Sequence, residues 1–196
     1  MNRPGLRERK KIETLHRLQE EALRLFDEQG YDETTIEQIA AAAGVSPSTF
    51  YRYFPVKEDV VVQDEYDPLI VNVFENQQEG TAPLEALRAV LAVLFAAFTE
   101  DDIERVRRRV RMIFAVPALR ARQVAQSEAT ERLLAEMIAE RTGRAANELE
   151  VRHFTALVVA SWTTAISAWA ETEGTKDDLA ANLDRCLAHL EAGAPL

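Results

Sequence analysis

The sequence predicts an all-α protein of about nine helices. Apolar residues recur at steps of three and four along most of the chain. No segment alternates apolar with polar residues, and the seven glycines and seven prolines stand between the periodic stretches. The 47 % apolar and 29 % charged fractions are those of a globular chain with a substantial core, which excludes wholesale disorder. Cys186 is the only cysteine, so no disulfide framework is available. The opening MNRPGLRERKK leads into helix-like sequence broken by charges rather than a secretory signal. No window reaches the ~18 uninterrupted apolar residues of a membrane span, and a cytoplasmic protein in a reducing compartment is expected.

The first helix is expected from about Leu6 to Gln29, with Ile12, Leu15, Leu18, Ala22, Leu25 and Phe26 on one face and Gly30 as its stop. Thr35, with Gln38 three residues on, forms a capping box for a short second helix that ends near Gly44. Ser46 caps a third, with Pro47 at the favoured first position, and Pro55 ends it. Lys57-Glu58-Asp59 opens a fourth with acids in its first turn. Pro68 falls within that helix and either bends it or divides it in two. Thr81-Ala82-Pro83 introduces a fifth helix over about 83–99, a sixth spans roughly 101–115, and Pro117 starts a seventh that ends at Gly143. Asn147 with Glu150 reads as a capping box for an eighth, closed by Gly174. Thr175 with Asp178 caps a ninth, closed by Gly193.

Charge is divided unevenly. The chain carries a net charge of −10, yet residues 1–57 hold nine basic and nine acidic residues, so the whole deficit lies beyond them. Exposed charges interact over only about 10 Å at physiological salt, so a locally basic end can meet a polyanion despite the total. Arg7, Arg9, Lys10 and Lys11 fit an arm that reaches a flanking groove, and equally a solvated tail.

The second and third helices have the proportions of a helix-turn-helix. Ala40, Ala41 and Ala43 allow a close crossing, Gly44 supplies the turn and Val45 plugs the small core. In SPSTFYRYF only Phe50 and Phe54 are core residues, and the rest are hydroxyls, phenols and one guanidinium. Such a face suits a major groove, where hydroxyls and phenols bond phosphates and Arg, Ser or Thr reads base edges.

TTIEQIAAAAGVSPSTFYRYFPVKEDV resembles the helix-turn-helix signature of the tetracycline-repressor (TetR) family, and LFDEQGYDETT resembles the family's approach to it. The resemblance covers about residues 9–62. It implies a homodimeric regulator that binds double-stranded operator DNA, with a DNA-binding domain over 1–56 and a helical ligand-binding and dimerisation domain over 57–196. By position it implies a phosphate contact at Thr35 and base-edge contacts at Ser46, Pro47, Ser48 and Thr49. Tyr51 and Tyr53 match phosphate and sugar contacts, Arg52 a base or phosphate contact, and Lys57 a backbone contact. PALRARQVAQSEATERLLAEMIAERTG is distantly similar to regulators related to the mycofactocin-system repressor, a group linked to acyl-CoA effectors.

The same resemblance places a pocket for a small hydrophobic effector near Phe95, Phe98, Met112, Phe114 and Met137, residues that also suit ordinary core packing. The Arg105–Arg111 run reads as a paired or solvated face, with a ligand-phosphate site as the sharper alternative. Phe154, Val158, Trp162, Ile166 and Trp169 form one apolar stripe, and Leu179, Leu183, Leu187 and Leu190 another. The resemblance implies that these two helices pair as a dimer interface. His16, His153 and His189 are scattered and no phosphate loop or nucleophile elbow is present, so neither an enzyme nor a cofactor or metal site is expected. A ligand carrier without DNA binding would leave the Ser/Thr/Tyr/Arg helix unexplained.

Overall fold

A computed structural model describes residues 6–63, 67–78 and 80–194, with the side chains of 6–9 and 67–69 outside that description. Among the described residues ten helices follow one another: α1 (Leu6–Gln29), α2 (Ile36–Ala42), α3 (Pro47–Tyr53), α4 (Asp59–Val62), α5 (Asp67–Glu75), α6 (Pro83–Ala97), α7 (Glu100–Ala115), α8 (Pro117–Thr142), α9 (Leu149–Ala170) and α10 (Lys176–Glu191). The described residues contain no strand, and no helix among them is long and apolar enough to cross a membrane.

Local chemistry sets most boundaries. Thr35 accepts the Gln38 N–H, and Gln38 accepts the Thr35 N–H at 2.8 Å, which closes the capping box of α2. Thr175 and Asp178 do the same for α10, and the Thr175 N–H and hydroxyl hold the Asp178 carboxyl below the usual carboxylate range. A third reciprocal box joins Thr99 and Asp102 at the start of α7.

One open alternative is decided and one expectation is corrected. The fourth helix is two helices: α4 is a single turn and α5 begins at Asp67. Pro68 is the second residue of α5, where the backbone needs no intrahelical N–H from it, so it marks the start of the second piece and kinks neither. The Asn147–Glu150 box does not form. Glu148 reaches back instead, accepting the Ala145 N–H at 2.6 Å and pairing with Arg144 at 2.8 Å, and α9 starts at Leu149.

The chain divides into two units. The first comprises residues 1–65 and 112–123, and the second 66–111 and 124–196. In the first, Leu18, Ala22 and Phe26 of α1 pack with Ile39 and Ala40 of α2, with Phe50 and Phe54, and with Val60, Val61 and Val62 of α4. Ile113 and Leu119 complete this core. Asp59 is fully buried there, and its carboxylate accepts Arg122 Nε at 2.6 Å and the Val56 N–H at 3.3 Å. In the second unit, one cluster gathers Phe74, Leu87, Val90, Leu94, Leu134, Met137 and Val158. Another gathers Ile103, Val110, Ala165, Trp169, Leu179 and Leu183.

Candidate nucleic-acid interface

The turn between α2 and α3 is built by backbone chemistry. Gly44, at φ +65°, occupies the left-handed region that a side chain disfavours. Its N–H donates to Ala41 O at 3.0 Å and the Val45 N–H to Ala40 O at 2.9 Å, the paired bonds of a Schellman ending. Val45 then packs on the core and the chain re-enters a helix at once. Ser46 caps α3 by accepting the Thr49 N–H at 3.2 Å, and Pro47 holds the first helical position.

Inside α3 the two rings at Phe50 and Phe54 are fully buried, with centroids 5.5 Å apart. They fix which face turns outward. Ser46, Pro47, Ser48 and Arg52 are exposed, Tyr51 is 49 % exposed, and Thr49 and Tyr53 are half-buried. The Ser46 hydroxyl bonds with those of Ser48 (2.8 Å) and Thr49 (3.0 Å), so three hydroxyls form one polar cluster at the N-terminus of α3. The Arg52 guanidinium lies 5.4 Å from the Tyr53 ring centroid, which orients a long side chain. No acid interrupts α3. Thr35 is exposed at the start of α2, and Lys10 and Lys11 are exposed on α1, whereas the side chains of Arg7 and Arg9 fall outside the described residues.

Lys57 has an architectural task that the sequence did not reveal. Its Nζ donates to Tyr31 O at 2.8 Å and Thr34 O at 3.0 Å, and it sits 4.0 Å from the Tyr31 ring centroid. Tyr31 in turn donates its hydroxyl to Glu58 at 2.6 Å, and burial together with Glu58 pushes its phenol pKa up. The ammonium thus pins the loop that delivers Thr35 to its cap. Lys57→Ala should lower stability by about 1–3 kcal/mol, because two carbonyls lose a charged donor. A urea melt checks this; an unchanged midpoint would deny the pinning role.

The remaining sequence-selected residues divide between the units. Met112 packs against the first core and Phe114, 41 % exposed, belongs to the same unit. Phe95 and Phe98 lie in the second unit with their rings 5.7 Å apart at 68°. Met137 is buried there and borders a cavity of about 400 Å³ lined also by Phe74, Gln77, Glu140 and Arg141. The stripes on α9 and α10 are filled by the chain's own packing. Val158, Trp169, Leu179, Leu183 and Leu187 are buried inside the second unit, and Phe154, Trp162, Ile166 and Leu190 are half-buried against it. The outward face of α9 is different, with Leu149, His153, Leu157, Ala160, Thr164 and Ala168 exposed at helical spacing.

The arginine run caps a distant helix end. Arg107, 6 % exposed, donates to Thr172 O at 2.6 Å and to Gly174 O, and its guanidinium lies 4.1 Å from the Trp169 ring centroid. Arg111 donates to Ala170 O at 2.7 Å. Arg105 pairs with Asp102 and Arg107 with Glu104, each three residues back. Among the described residues no group of three or more His, Cys, Asp or Glu could hold a metal ion.

Comparison with known proteins gives matches along both parts of the chain. Residues 18–63 match the bacterial regulatory proteins of the tetR family, and residues 81–195 match the MftR C-terminal domain. The chain is 36 % identical over 149 residues to the HTH-type transcriptional regulator TcmR of Streptomyces glaucescens; the match covers 72 % of this chain and 66 % of TcmR. Among solved structures, the TetR-family repressor FadR of Thermus thermophilus, in complex with lauroyl-CoA, is similar at 26 % identity and a TM-score of 0.55. That match covers 93 % of this chain and 95 % of the other. The fatty acid degradation regulator FadR of Bacillus halodurans shares the fold at 22 % identity and a TM-score of 0.55, with 98 % of each chain covered.

Proposed function

Since the chain belongs to the TetR family of bacterial regulatory proteins, we propose that it acts in the cytoplasm as a homodimeric repressor that leaves its operator when a small hydrophobic effector binds. The observation that carries the DNA-binding role is the outward face of α3, where hydroxyls, phenols and one guanidinium stand on a helix anchored by Phe50 and Phe54. Thr35, Tyr51 and Tyr53 position the protein on phosphates and sugars. Ser48, Thr49 and Arg52 read base edges, with Ser46 and Pro47 setting the start of the reading helix. Lys57 acts through the loop it pins, and any phosphate contact uses what remains of its donor capacity. DNA binding is assigned to residues 1–56, and effector binding and dimerisation to 57–196.

Dimerisation is assigned to the outward face of α9 rather than to the stripes already consumed by the interior. Small residues at Ala160, Thr164 and Ala168 permit close helix approach, and Leu149 and Leu157, 75 % and 37 % exposed, supply apolar area. A charge at the middle of that face should divide the dimer. Ala160→Arg is expected to run as a monomer in sedimentation velocity and to lose operator binding, since two recognition helices must meet grooves about 34–36 Å apart. A dimeric Ala160→Arg would exclude this face.

An acyl-CoA-like effector is supported by the lauroyl-CoA complex of the Thermus thermophilus repressor and by the aromatic pair Phe95–Phe98. For release, the effector must favour the conformation that does not fit the operator, since equal affinity for both shifts nothing. The test of the whole reading is selection of bound duplexes from a random library. It should return a palindrome, and lauroyl-CoA should reduce its occupancy.

A further inference from the structure

We infer that Trp162 is the donor by which the effector site selects its ligand: the indole N–H takes a carbonyl oxygen on an otherwise apolar molecule. This rests on the effector-responsive reading above and adds to it the ligand feature that is recognised. Trp162 is half-buried on α9, yet its Nε1 is sealed from solvent and has no hydrogen-bond partner. Buried donors are nearly always paired, and an orphan in a folded core calls for an explanation. The other tryptophan shows what the fold does with an indole it uses for structure alone: Trp169 donates Nε1 to Thr175 O at 2.9 Å.

No acceptor among the described residues bonds that N–H. Two hydroxyls of α9 donate to their own helix instead, Thr155 to Arg152 O at 3.0 Å and Ser167 to Thr164 O at 3.1 Å. Phe98 O at the end of α6 accepts Lys176 Nζ at 3.1 Å. Trp162 and Phe98 both pack against both apolar clusters of the second unit. They therefore mark the seam between those clusters, and an apolar molecule that parts the seam reaches a lone donor in an otherwise greasy lining. An acceptor there gains a bond that costs the protein no broken one, whereas a pure hydrocarbon leaves the N–H unpaired.

The test uses the full chain labelled with ¹⁵N-tryptophan, whose two indoles give separate resonances. Trp162→Phe identifies one by its loss, and Trp169→Phe gives the same assignment from the other side. Lauroyl-CoA, decanoic acid and 2-undecanone carry a carbonyl oxygen; undecane is the hydrocarbon control. A carbonyl-bearing probe that raises the melting temperature should move the Trp162 indole proton downfield and leave that of Trp169 in place. Trp162→Phe should weaken that probe about tenfold and change undecane by no more than about twofold. If such a probe binds without moving the Trp162 resonance, as a water-bonded indole would behave, the assignment is overturned while the effector reading stands. If no probe of the panel raises the melting temperature, both are overturned.

Discussion

Replacing Phe50 with alanine should cost about 3–5 kcal/mol and abolish DNA binding through the loss of α3, even though Phe50 faces away from the groove. The ring is fully buried, packs 5.5 Å from Phe54 and 5.9 Å from Tyr51, and belongs to the core shared by α1, α2 and α4. Since α3 is only seven residues long, it has no stability apart from that packing. The first unit is small, and a loss of this size is comparable with the whole stability of many domains. Phe50→Leu keeps most of the volume and should cost under about 1.5–2 kcal/mol. Hydrogen exchange resolves the effect, with the amides of α2 and α3 losing protection in Phe50→Ala. Retained protection together with full operator affinity would show that the ring does not hold this helix.

The second large effect is expected far from the DNA-binding helices. Arg107→Ala should destabilise the chain by about 3–5 kcal/mol, because four interactions of one buried side chain vanish together. The Gly174 carbonyl loses its donor, Thr172 O keeps only the longer bond from Arg111 at 3.2 Å, Glu104 loses a partner, and the face of Trp169 loses the cation above it. The positive group also sits at the C-terminal end of α9, where the helix dipole favours it. Arg107→Lys should recover only part of the loss, since an ammonium lacks the planar face that lies over the Trp169 ring and the rigid fork that meets both carbonyls at once. Urea unfolding followed by tryptophan fluorescence measures this directly. A midpoint shift worth less than about 1 kcal/mol would reduce Arg107 to a surface residue.

The ends of helices were legible because their signals are local. Thr35 with Gln38, Ser46 with Pro47, and Thr175 with Asp178 each complete their bonds within four residues, and each forms as the sequence suggests. The outward face of α3 was legible for the same reason, since two phenylalanines four apart fix the orientation of everything between them. What sequence spacing did not show depends on distant partners. The arginine run reads as pairing along its own helix, but Arg107 and Arg111 reach carbonyls about sixty residues on. Lys57 reads as a phosphate contact, but two loop carbonyls claim its ammonium. The apolar stripes of α9 and α10 read as an interface because periodicity marks burial without saying what covers it. The exposed Leu157–Ala160–Thr164 face could have been noticed as an uncharged helix side opposite those stripes. The division between α4 and α5 lay in Pro68, whose favoured place in a helix is the first turn.

The central claim is that α3 meets DNA through its hydroxyl and phenol face. Its most direct test is the affinity of the wild-type chain and of Tyr51→Ala for one selected palindrome and one scrambled duplex across a salt series. Tyr51 is exposed, so the variant should fold normally. Wild-type affinity should fall steeply with salt, with a log–log slope of about −0.9 for each phosphate neutralised. Tyr51→Ala should weaken both duplexes by the same factor, on the order of fivefold to thirtyfold, because phosphates carry no sequence information. A folded Tyr51→Ala that binds both duplexes as tightly as the wild type would contradict the placement of α3 against DNA.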